Sequence, residues 1–389
     1  MRKLLFVANH AGFFLSHRLP IAAAARDAGW DVHVATPKSK HVPRLVENRL
    51  QWHELRLSRA GLHPLEELRT LWDMAGLYRR VAPDVVHHVT SKPVLYGTFV
   101  ARLTGVPAVV NAISGMGIVF AGEDSRRLRL LQRLVSIGYG AALRHPRMRV
   151  IFQNSEHRAA FLDNGWIRPQ DAVLIAGAGV DMTEFAPRPA HAVDSGAPVR
   201  VICATRMLFT KGIAEFVEAA RLLRARGANV RMELVGEPDP ANPGSVPLEA
   251  LQRWHDEGAI VYRGRSETMP SVFAEADVVA LPTYYGEGLP KVLIEAAACG
   301  LPIVTTDWPG CREVVRDGEN GLLVPIRDAA ALAAAIERLA GDAELRRAMG
   351  ARGREKAVAA WSVESVVAQT LALYDDVTLV PRARQEAVA

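Results

Sequence analysis

Short apolar runs alternate along this chain with longer amphipathic stretches, and the alternation predicts strands and helices in turn. Helical patterns such as HRLPIAAAARDAG at 17–29 separate the apolar runs of the first half. Those runs are KLLFVA, DVHVAT, QWHELRL, DVVHHV and AVVNAI, at 3–8, 31–36, 51–57, 84–89 and 108–113. Because strands joined through helices form parallel sheets, the first half is predicted to be a doubly wound α/β domain.

The second half repeats the pattern, and 389 residues are too many for one hydrophobic core. Its apolar runs lie at 198–205, 230–236, 259–264, 277–282 and 301–306. A segment rich in Pro, Ala and small polar residues separates the halves and is typical of a linker. We predict an N-terminal domain at 1–185, a linker at 186–198, a C-terminal domain at 199–361, and a last helix near 362–378 that packs back on the N-terminal domain.

Composition narrows the class of protein. The chain is 49% hydrophobic and 23% charged, which is ordinary for a soluble globular protein. Its three cysteines form no CxxC pair, so we expect a reducing cytoplasmic environment and neither a disulfide framework nor a zinc site. Asn9 and His10 interrupt the first apolar run, which is interpreted as a strand rather than a signal peptide. No apolar run approaches the roughly 20 residues of a membrane-spanning helix.

Charge is distributed unevenly along the chain. Residues 1–190 hold 25 Lys and Arg against 15 Asp and Glu, a net charge of +10, and the remainder has a net charge of −5. A basic N-terminal half indicates an anionic partner, such as phosphates, an acidic membrane surface or nucleic acid, or else a merely soluble surface. Nucleic acid is disfavoured because the basic half lacks interleaved aromatic residues.

The first strand is not followed by a dinucleotide-binding fingerprint. The segment VANHAGFFLSHR offers one glycine, Gly12, where a G-x-G-x-x-G turn is expected. A nicotinamide or flavin oxidoreductase is therefore poorly supported.

Cations follow the first strand of the second half. In ATRMLFTKG, Arg206 and Lys211 come after the strand and precede a predicted helix. A helix N-terminus and two cations form an anion site, and a diphosphate suits one guanidinium and one ammonium group. The alternative is a pair of ordinary surface cations at a helix start.

Two carboxylates frame a later helix in EGLPKVLIEAAACG. Pro290 suits the first helical turn and Gly300 the C-terminal end, so a helix is predicted at about 290–299. Glu295 then lies inside the helix and Glu287 on the preceding loop. Each can accept hydrogen bonds from ligand hydroxyl groups, Glu295 from a ribose. Alternatively, Glu287 stabilises the helix dipole and Glu295 pairs with a lysine or arginine.

Together these residues resemble the retaining glycosyltransferases of family 4. Glu287 and Glu295 match the E-x7-E motif of that family, and Arg206 and Lys211 match its R…KG pair. IAGAGVDMTEFAP and GCREVVRDGENGLLVP are similar to two further family segments, so the resemblance covers about 175–330. It implies the GT-B fold, in which two doubly wound Rossmann-like domains face each other across a cleft.

The N-terminal half resembles a narrower group that makes capsule, O-antigen and lipid-linked oligosaccharides. The runs that carry this resemblance include LLFVANHAGFFLSHRLPIA and HHVTSKPVLYGTFVARLTGVPAVVNAISGMGIVF. It implies transfer of an N-acetylhexosamine or hexose from a UDP-sugar to a polyprenyl-diphosphate-linked acceptor. The enzyme would be peripheral to the cytoplasmic face of the cell membrane.

The resemblance also implies roles for individual residues. Arg206 and Lys211 hold the donor diphosphate, Glu295 the ribose and Glu287 the transferred sugar. Further donor contacts fall on Gly12, Arg263, Gly288, Leu289 and Pro290. Neither a metal ion nor another cofactor is implied, and the anomeric configuration is retained.

The sequence departs from the family at one position. Many members carry a histidine in the loop that is AISGMG here, and Ser114 occupies its place. His10 or His17 is a candidate to replace that histidine in positioning the sugar. Alternatively, either one caps a helix or packs locally.

A basic helix is predicted over SRRLRLLQRLVSIGYGAALRH, at 125–145. Arg126 and Arg129 share a face with apolar neighbours, which is typical of a helix in the plane of the lipid headgroups. They can alternatively meet an acceptor diphosphate, or form a simple solvated face.

Two rival functions remain for the whole chain. One is a UDP-N-acetylglucosamine 2-epimerase-type enzyme on the same fold, although no matching set of acid–base groups is seen. The other is a nucleotide-sugar-binding protein without transfer activity.

Overall fold

The structure is a computed structural model of the chain and describes residues 1–57, 63–115, 135–187, 196–240 and 242–379. It divides into two compact units. The first contains Met1–Ala178 and the chain from Glu364 onward, and the second contains Gly179–Val363. Across the described residues, no helix combines the length and apolarity that crossing a bilayer requires.

The first unit is built on a parallel sheet of seven strands. The strands are β1 Lys3–Ala8, β2 Asp31–Thr36, β3 Gln51–Glu54, β4 Val85–Val89, β5 Ala108–Ile113, β6 Met148–Phe152 and β7 Ala172–Leu174. Their order in the sheet is β3-β2-β1-β4-β5-β6-β7. The central strand β1 pairs with β2 and β4, and each of these three strands is almost entirely buried because helices cover both faces.

Two helical layers cover this sheet. One layer packs on a core that includes Phe14, Leu45 and Tyr374, and it consists of Ala11–His17, Leu19–Asp27, Val42–Glu47 and Val363–Leu379. The other packs on a core that includes Leu77, Val100 and Phe161, and it consists of Pro64–Val81, Ser91–Thr104, 135–142 and Ser155–Asp163.

The last helix belongs to the first unit. The Tyr374 hydroxyl shares a buried hydrogen bond of 2.6 Å with His87 Nδ1 on β4. Arg2, beside β1, donates a hydrogen bond of 2.8 Å to the Asp375 carboxylate. The helix Val363–Leu379 is therefore bound to the sheet formed by the N-terminal residues.

The second unit has a parallel sheet of six strands in the order β10-β9-β8-β11-β12-β13. These are β8 Val199–Ala204, β9 Val230–Val235, β10 Val261–Tyr262, β11 Val278–Leu281, β12 Ile303–Thr306 and β13 Gly321–Val324. The helices are Ile213–Ala225, Leu248–Asp256, Met269–Ala274, Lys291–Ala298, Cys311–Val314, Ala329–Gly341 and Ala343–Ala360.

The predicted fold class is confirmed: both units are doubly wound parallel α/β structures. The helix predicted at 17–29 is confirmed as Leu19–Asp27, within two residues at each end, whereas the preceding helix Ala11–His17 was not predicted. Arg18 lies between the two helices, and its N–H closes the first helix on the Phe14 carbonyl at 2.7 Å. Pro20 then occupies the first turn of the second helix, where its missing N–H is not needed. Strands β6, β7 and β13 were not predicted.

The boundary between the units falls earlier in the chain than residue 185. Val180 donates a hydrogen bond of 2.9 Å to the Trp361 carbonyl, and Val363 donates one of 3.0 Å to the Val180 carbonyl. Arg354 also donates to the Phe185 carbonyl at 2.9 Å. Residues 179–187 are thereby part of the second unit, while 188–195 of the predicted linker lie outside the described residues.

Candidate functional site

Two loops meet at the carboxyl edge of the second sheet. They follow β8 and β11, which are neighbours in the sheet. Tyr284, after β11, donates its N–H to the Thr210 carbonyl, after β8, at 3.0 Å. Since ligands of open parallel sheets bind at the carboxyl ends of the strands, side chains on these loops are the first candidates.

Glycine at position 212 brings the two loops together. Gly212 follows the short 3₁₀ turn Phe209–Lys211 and has φ +75°, in the left-handed region. A Cβ at this position would collide with the carbonyl group of Pro282. Only glycine therefore allows Lys211 to lie against the loop that follows β11.

Lys211 and Glu287 form an ion pair. Lys211 is 7% exposed, and its ammonium group lies 5.3 Å from the centre of the Tyr285 ring, within cation–π range. The glutamate that the sequence assigned to a sugar and the lysine that it assigned to a diphosphate are therefore direct neighbours.

Two opposing influences act on the Lys211 ammonium group. Burial lowers the pKa of Lys211 from 10.5 to about 7, and the Arg206 guanidinium adds to this decrease. The Glu287 carboxylate favours the charged form, as an anion in contact with an ammonium group must. An incoming phosphate group would favour that form in the same way.

Neighbouring strand ends fix the loop that carries Glu287. Trp308, after β12, donates its indole N–H to the Tyr285 carbonyl at 3.0 Å. Gly310 has φ +84°, and a Cβ there would lie 2.5 Å from the Gly288 carbonyl oxygen. The loop after β12 thus packs backbone to backbone against the Glu287 loop.

The helix Lys291–Ala298 begins one residue later than predicted. Pro290 is the N-cap residue, with φ −65° and ψ 111°, and no side chain caps this end. Gly288, Leu289 and Pro290 before it are buried, and Gly300 has φ +69° after it, as expected for a helix stop. An uncapped helix N-terminus beside a lysine is a favourable position for an anion.

Glu295 lies inside this helix and is 6% exposed. Burial raises its pKa, and Lys291, whose ammonium group lies 3.1 Å from the Glu295 carboxylate, opposes the shift. The nearby Glu184 carboxylate also raises this pKa. Lys291 stands four residues before Glu295, so the helical spacing made this partner visible in the sequence.

The two arginines predicted at the site lie in different environments. Arg206 is exposed on the loop after β8 and lies 3.1 Å from Asp239. Arg263 follows β10, two strands away from β8, where Glu233 and Glu275 each lie 3.1 Å from its guanidinium. The Arg263 side chain is thus engaged in an ion-pair cluster.

Three predicted residues of the first unit, His10, Gly12 and His17, lie on the helix Ala11–His17 or directly before it. His10 is its N-cap residue and accepts a hydrogen bond of 3.3 Å from the Phe13 N–H. A Cβ on Gly12 would lie 2.9 Å from His10 and 3.0 Å from His41, so this glycine makes room for both imidazoles. The two rings are 5.7 Å apart.

His17 ends the same helix, about 10 Å from His10 by helix geometry. It stacks on Phe13 with ring centroids 4.1 Å apart, and its Nδ1 lies 2.6 Å from the Ser16 hydroxyl. Ser114 directly follows β5, at the carboxyl edge of the first sheet. Arg126 and Arg129 lie outside the described residues.

Sequence reasoning missed the residues that support the site. Tyr285, Trp308, Gly310 and His41 lie beside predicted residues, but local spacing gave no reason to choose them. Gly310 alone had a signal, since it begins the GCREVV segment that the family resemblance quoted. Within the described ranges, no group of three or more His, Cys, Asp or Glu is placed to hold a metal ion.

Both halves of the chain match known protein families. Residues 198–342 match the family described as Glycosyl transferases group 1, and residues 3–145 match the family described as Glycosyl transferase 4-like. The chain belongs to these glycosyl transferases. Both matched regions lie on the two sheets described above, one on each.

Similar proteins of known annotation span nearly the whole chain. The N,N'-diacetylbacillosaminyl-diphospho-undecaprenol alpha-1,3-N-acetylgalactosaminyltransferase of Campylobacter jejuni is 27% identical over 382 residues, which are 95% of this glycosyl transferase and 97% of the relative. The capsular polysaccharide biosynthesis glycosyltransferase CapM of Staphylococcus aureus is 23% identical, over 90% of this chain and 91% of the relative.

Solved structures share the fold. A glycosyltransferase from Rickettsia africae superposes with a TM-score of 0.76 at 16% identity, covering 98% of this chain and 99% of that chain. HepE of Anabaena, in complex with UDP and glucose, has a TM-score of 0.75 at 18% identity, covering 96% and 100%. The GT-B fold expected from the sequence is confirmed.

Proposed function

We propose that this glycosyl transferase moves a sugar, an N-acetylhexosamine or a hexose, from a UDP-sugar to a polyprenyl-diphosphate-linked acceptor. The reaction retains the anomeric configuration and needs no metal ion. It belongs to the synthesis of a surface polysaccharide or glycan at the inner face of the cell membrane.

The Lys211–Glu287 ion pair beside the uncapped helix Lys291–Ala298 carries this proposal. A cation and the N-terminal end of a helix at one strand edge suit a donor diphosphate. A carboxylate that touches the same cation suits the hydroxyl groups of the sugar attached to that diphosphate. Glu295, eight residues along the chain, suits the vicinal hydroxyls of a ribose.

In the proposed reaction, the bond between the anomeric carbon and the β-phosphate oxygen breaks. A bond from the acceptor hydroxyl oxygen to the same carbon forms on the same face of the sugar. The hydroxyl proton passes to the departing phosphate, so the products are a glycoside and UDP. Lys211 and Arg206 stabilise the negative charge that develops on the leaving diphosphate.

Roles for the other predicted residues follow from their positions. Gly288, Leu289 and Pro290 present the helix end to the donor. Gly12 leaves space at the carboxyl edge of the first sheet, where His10, His17 and Ser114 are candidates for positioning a sugar or the acceptor. Arg126 and Arg129 stay proposed contacts to an acceptor diphosphate or a membrane surface. The guanidinium of Arg263 must leave Glu233 and Glu275 if it is to bind the nucleotide.

The names of similar proteins support the choice of acceptor and donor. The Campylobacter jejuni relative is named for a diphospho-undecaprenol-linked substrate, and it aligns over 95% of this chain. The structure of HepE contains UDP. Both facts concern those proteins, and they favour a lipid-linked diphosphate and a uridine nucleotide here.

The test is an incubation of the full chain with separate UDP-sugars and a short prenyl-diphosphate-sugar acceptor. We expect one donor to yield an extended acceptor and UDP, with the configuration of the new linkage matching that of the donor by NMR. Epimerisation of free UDP-N-acetylglucosamine without any transfer would instead establish the 2-epimerase alternative. Binding of a UDP-sugar with neither reaction would establish the non-catalytic alternative.

Variants connect the activity to the site. We expect Glu287→Ala to lower kcat more than nucleotide affinity, and Lys211→Ala to weaken both. Glu337→Gln is a matched control, because Glu337 forms an exposed ion pair of 2.8 Å with Arg226 elsewhere in the same unit. Small and equal effects of all three changes would contradict the proposed site.

A further inference from the structure

One helix of the first unit has large apolar side chains on its outer face. Leu65, Leu68 and Trp72 on the helix Pro64–Val81 are 67%, 62% and 79% exposed. Their spacing of three and four residues places them in one stripe along the helix. The opposite face, which includes Leu77, is buried against the sheet. This helix is thus apolar both toward its core and along part of its solvent side.

The same helical layer has more exposed apolar side chains. Phe99 and Leu103 on the helix Ser91–Thr104 are 39% and 65% exposed, and Ile137 in the helical segment 135–142 is 68% exposed. Among the described helices of the opposite layer, Val46 is the one large apolar side chain that is comparably exposed, at 59%. The asymmetry indicates that the layer with the helices Pro64–Val81 and Ser91–Thr104 has a surface function.

Arginines lie among these apolar side chains. Arg69, Arg79 and Arg80 are exposed on the helix Pro64–Val81, and Arg102 is exposed on the helix Ser91–Thr104. By helical periodicity at 100° per residue, Arg69 and Arg79 fall within 60° of Trp72 on the wheel. Cations therefore flank the apolar stripe.

Two of the three carboxylates on the same helices are neutralised. Glu67 lies 2.7 Å from Lys92, and Asp73 lies 2.9 Å from Arg56. Glu66 is the third and is exposed. The outer surface of the helices Pro64–Val81 and Ser91–Thr104, which we call the basic apolar face, thus carries four arginines against one glutamate.

We propose that the basic apolar face lies on an anionic lipid bilayer, with Leu65, Leu68 and Trp72 inserted among the headgroups. Interfacial helices combine Leu and Trp with Arg in this way, and Trp is enriched at the membrane–water boundary. The four arginines complement a surface of anionic headgroups. The proposal rests on the proposed function, because a lipid-linked acceptor resides in such a surface.

Binding of the full chain to sucrose-loaded vesicles tests the surface directly. The probes are vesicles of phosphatidylcholine alone and of equal parts phosphatidylcholine and phosphatidylglycerol. We expect sedimentation with the anionic vesicles and weaker binding at high salt, because salt screens exposed charges. In the double variant Leu68→Glu/Trp72→Glu we expect the partition coefficient to fall about tenfold or more. The double variant Arg79→Ala/Arg80→Ala should also lower the partition coefficient by about tenfold or more.

Val46→Glu is the control, because it places a glutamate, one against the two of the double variant, at an exposed apolar position of the opposite layer. We expect Val46→Glu to bind anionic vesicles as the unchanged chain does. Equal losses in Val46→Glu and Leu68→Glu/Trp72→Glu, or no loss in either, would overturn the proposal. So would a dimer that Leu68→Glu/Trp72→Glu converts to a monomer without reducing vesicle binding, because the face would then bind a second copy.

Failure of the surface and failure of the proposed function give different results. Transfer to a short, water-soluble prenyl-diphosphate acceptor should be unchanged in Leu68→Glu/Trp72→Glu, since it needs no membrane. Vesicle binding that depends on these side chains without any transfer would support the surface and refute the function. If transfer occurs but vesicle binding does not depend on Leu68 or Trp72, the proposed function is supported and the proposed surface is refuted.

Discussion

The ammonium group of Lys211 and the carboxylate of Glu287 are ion-pair partners at the carboxyl edge of the second sheet. Only 8% of the lysine side chain and 15% of the glutamate side chain are exposed. Each charge therefore stabilises the other at a poorly hydrated position. In the proposed donor complex, the diphosphate and the sugar hydroxyls would complete the surroundings of this pair.

Removing one partner of the Lys211–Glu287 pair should destabilise the protein more than removing both partners. We expect Glu287→Gln to lower the free energy of unfolding by about 3 kcal/mol, because it leaves a buried ammonium group without its anion. The double variant Lys211→Met/Glu287→Gln should recover most of that loss. Urea unfolding monitored by circular dichroism measures both.

The exposed Arg226–Glu337 pair is the control for this cycle, with side chains 40% and 43% exposed. Glu337→Gln should change stability by less than about 1 kcal/mol. A double variant that is no more stable than Glu287→Gln would show that the pair is not coupled.

The pH dependence of kcat/KM should show the depressed pKa of Lys211. Burial lowers this pKa to about 7 from 10.5, so the protonated form that is proposed to bind a diphosphate is lost as pH rises through a range far below that of an ordinary lysine. Glu287→Gln removes the anion that favours the charged form, which should move the alkaline limb to still lower pH. Initial rates from pH 5.5 to 10 measure this, and a limb that stays in place in Glu287→Gln would refute it.

Gly212→Ala should damage the site, whereas Gly227→Ala at the other end of the same helix should not. Gly212 has φ +75° and faces the Pro282 carbonyl, while Gly227 has φ +70° with nothing within 4 Å of the position of a Cβ. Both changes carry the left-handed cost of about 1–2 kcal/mol, but only Gly212→Ala also forces the two loops apart. We expect UDP affinity to fall at least tenfold in Gly212→Ala alone, measured by calorimetry. Equal affinities in the two variants would exclude a role for this close approach.

Removing Lys291 should make nucleotide binding sensitive to acid. Burial raises the pKa of Glu295 and Lys291 opposes the shift, so Lys291→Met should raise this pKa further. The Glu295 carboxylate, which is proposed to accept hydrogen bonds from the ribose hydroxyls, is then protonated as pH falls. UDP affinity should decrease between pH 8 and pH 5.5 more steeply than in the unchanged chain. Glu295→Gln, which cannot titrate, should abolish the added pH dependence. Parallel affinity profiles for the unchanged chain and Lys291→Met would contradict this role.

Much of the fold could be predicted from the sequence because the periodicity of strands and helices depends on residues that are close together in the chain. β1, β2 and β5 fall where their apolar runs predicted, since buried parallel strands are continuously apolar. β7, three residues long and only partly buried, had no such run. The helix Ala11–His17 was missed because its seven residues form only about two turns, too few to show a helical period.

The candidate residues themselves could be predicted from short motifs, whereas most of their interaction partners were revealed only by the fold. The spacing of Glu287 and Glu295 and the stop at Gly300 are local features of one helix and its loop. That Lys291 meets Glu295 also follows from helical spacing. By contrast, nothing near position 263 predicted that Glu233 and Glu275 would engage Arg263, because those three residues come from different elements.

The sequence by itself determined the two parallel sheets, the helix that begins near Pro290, and the residue types that face its N-terminus. The tertiary structure alone decided that Lys211 contacts Glu287 and that Gly310 packs on Gly288. It also decided that Leu65, Leu68 and Trp72 stay outside the core. The physical reason is that periodicity depends on neighbours three or four residues away, whereas these contacts depend on the order of strands in a sheet and on which helical layer covers which face.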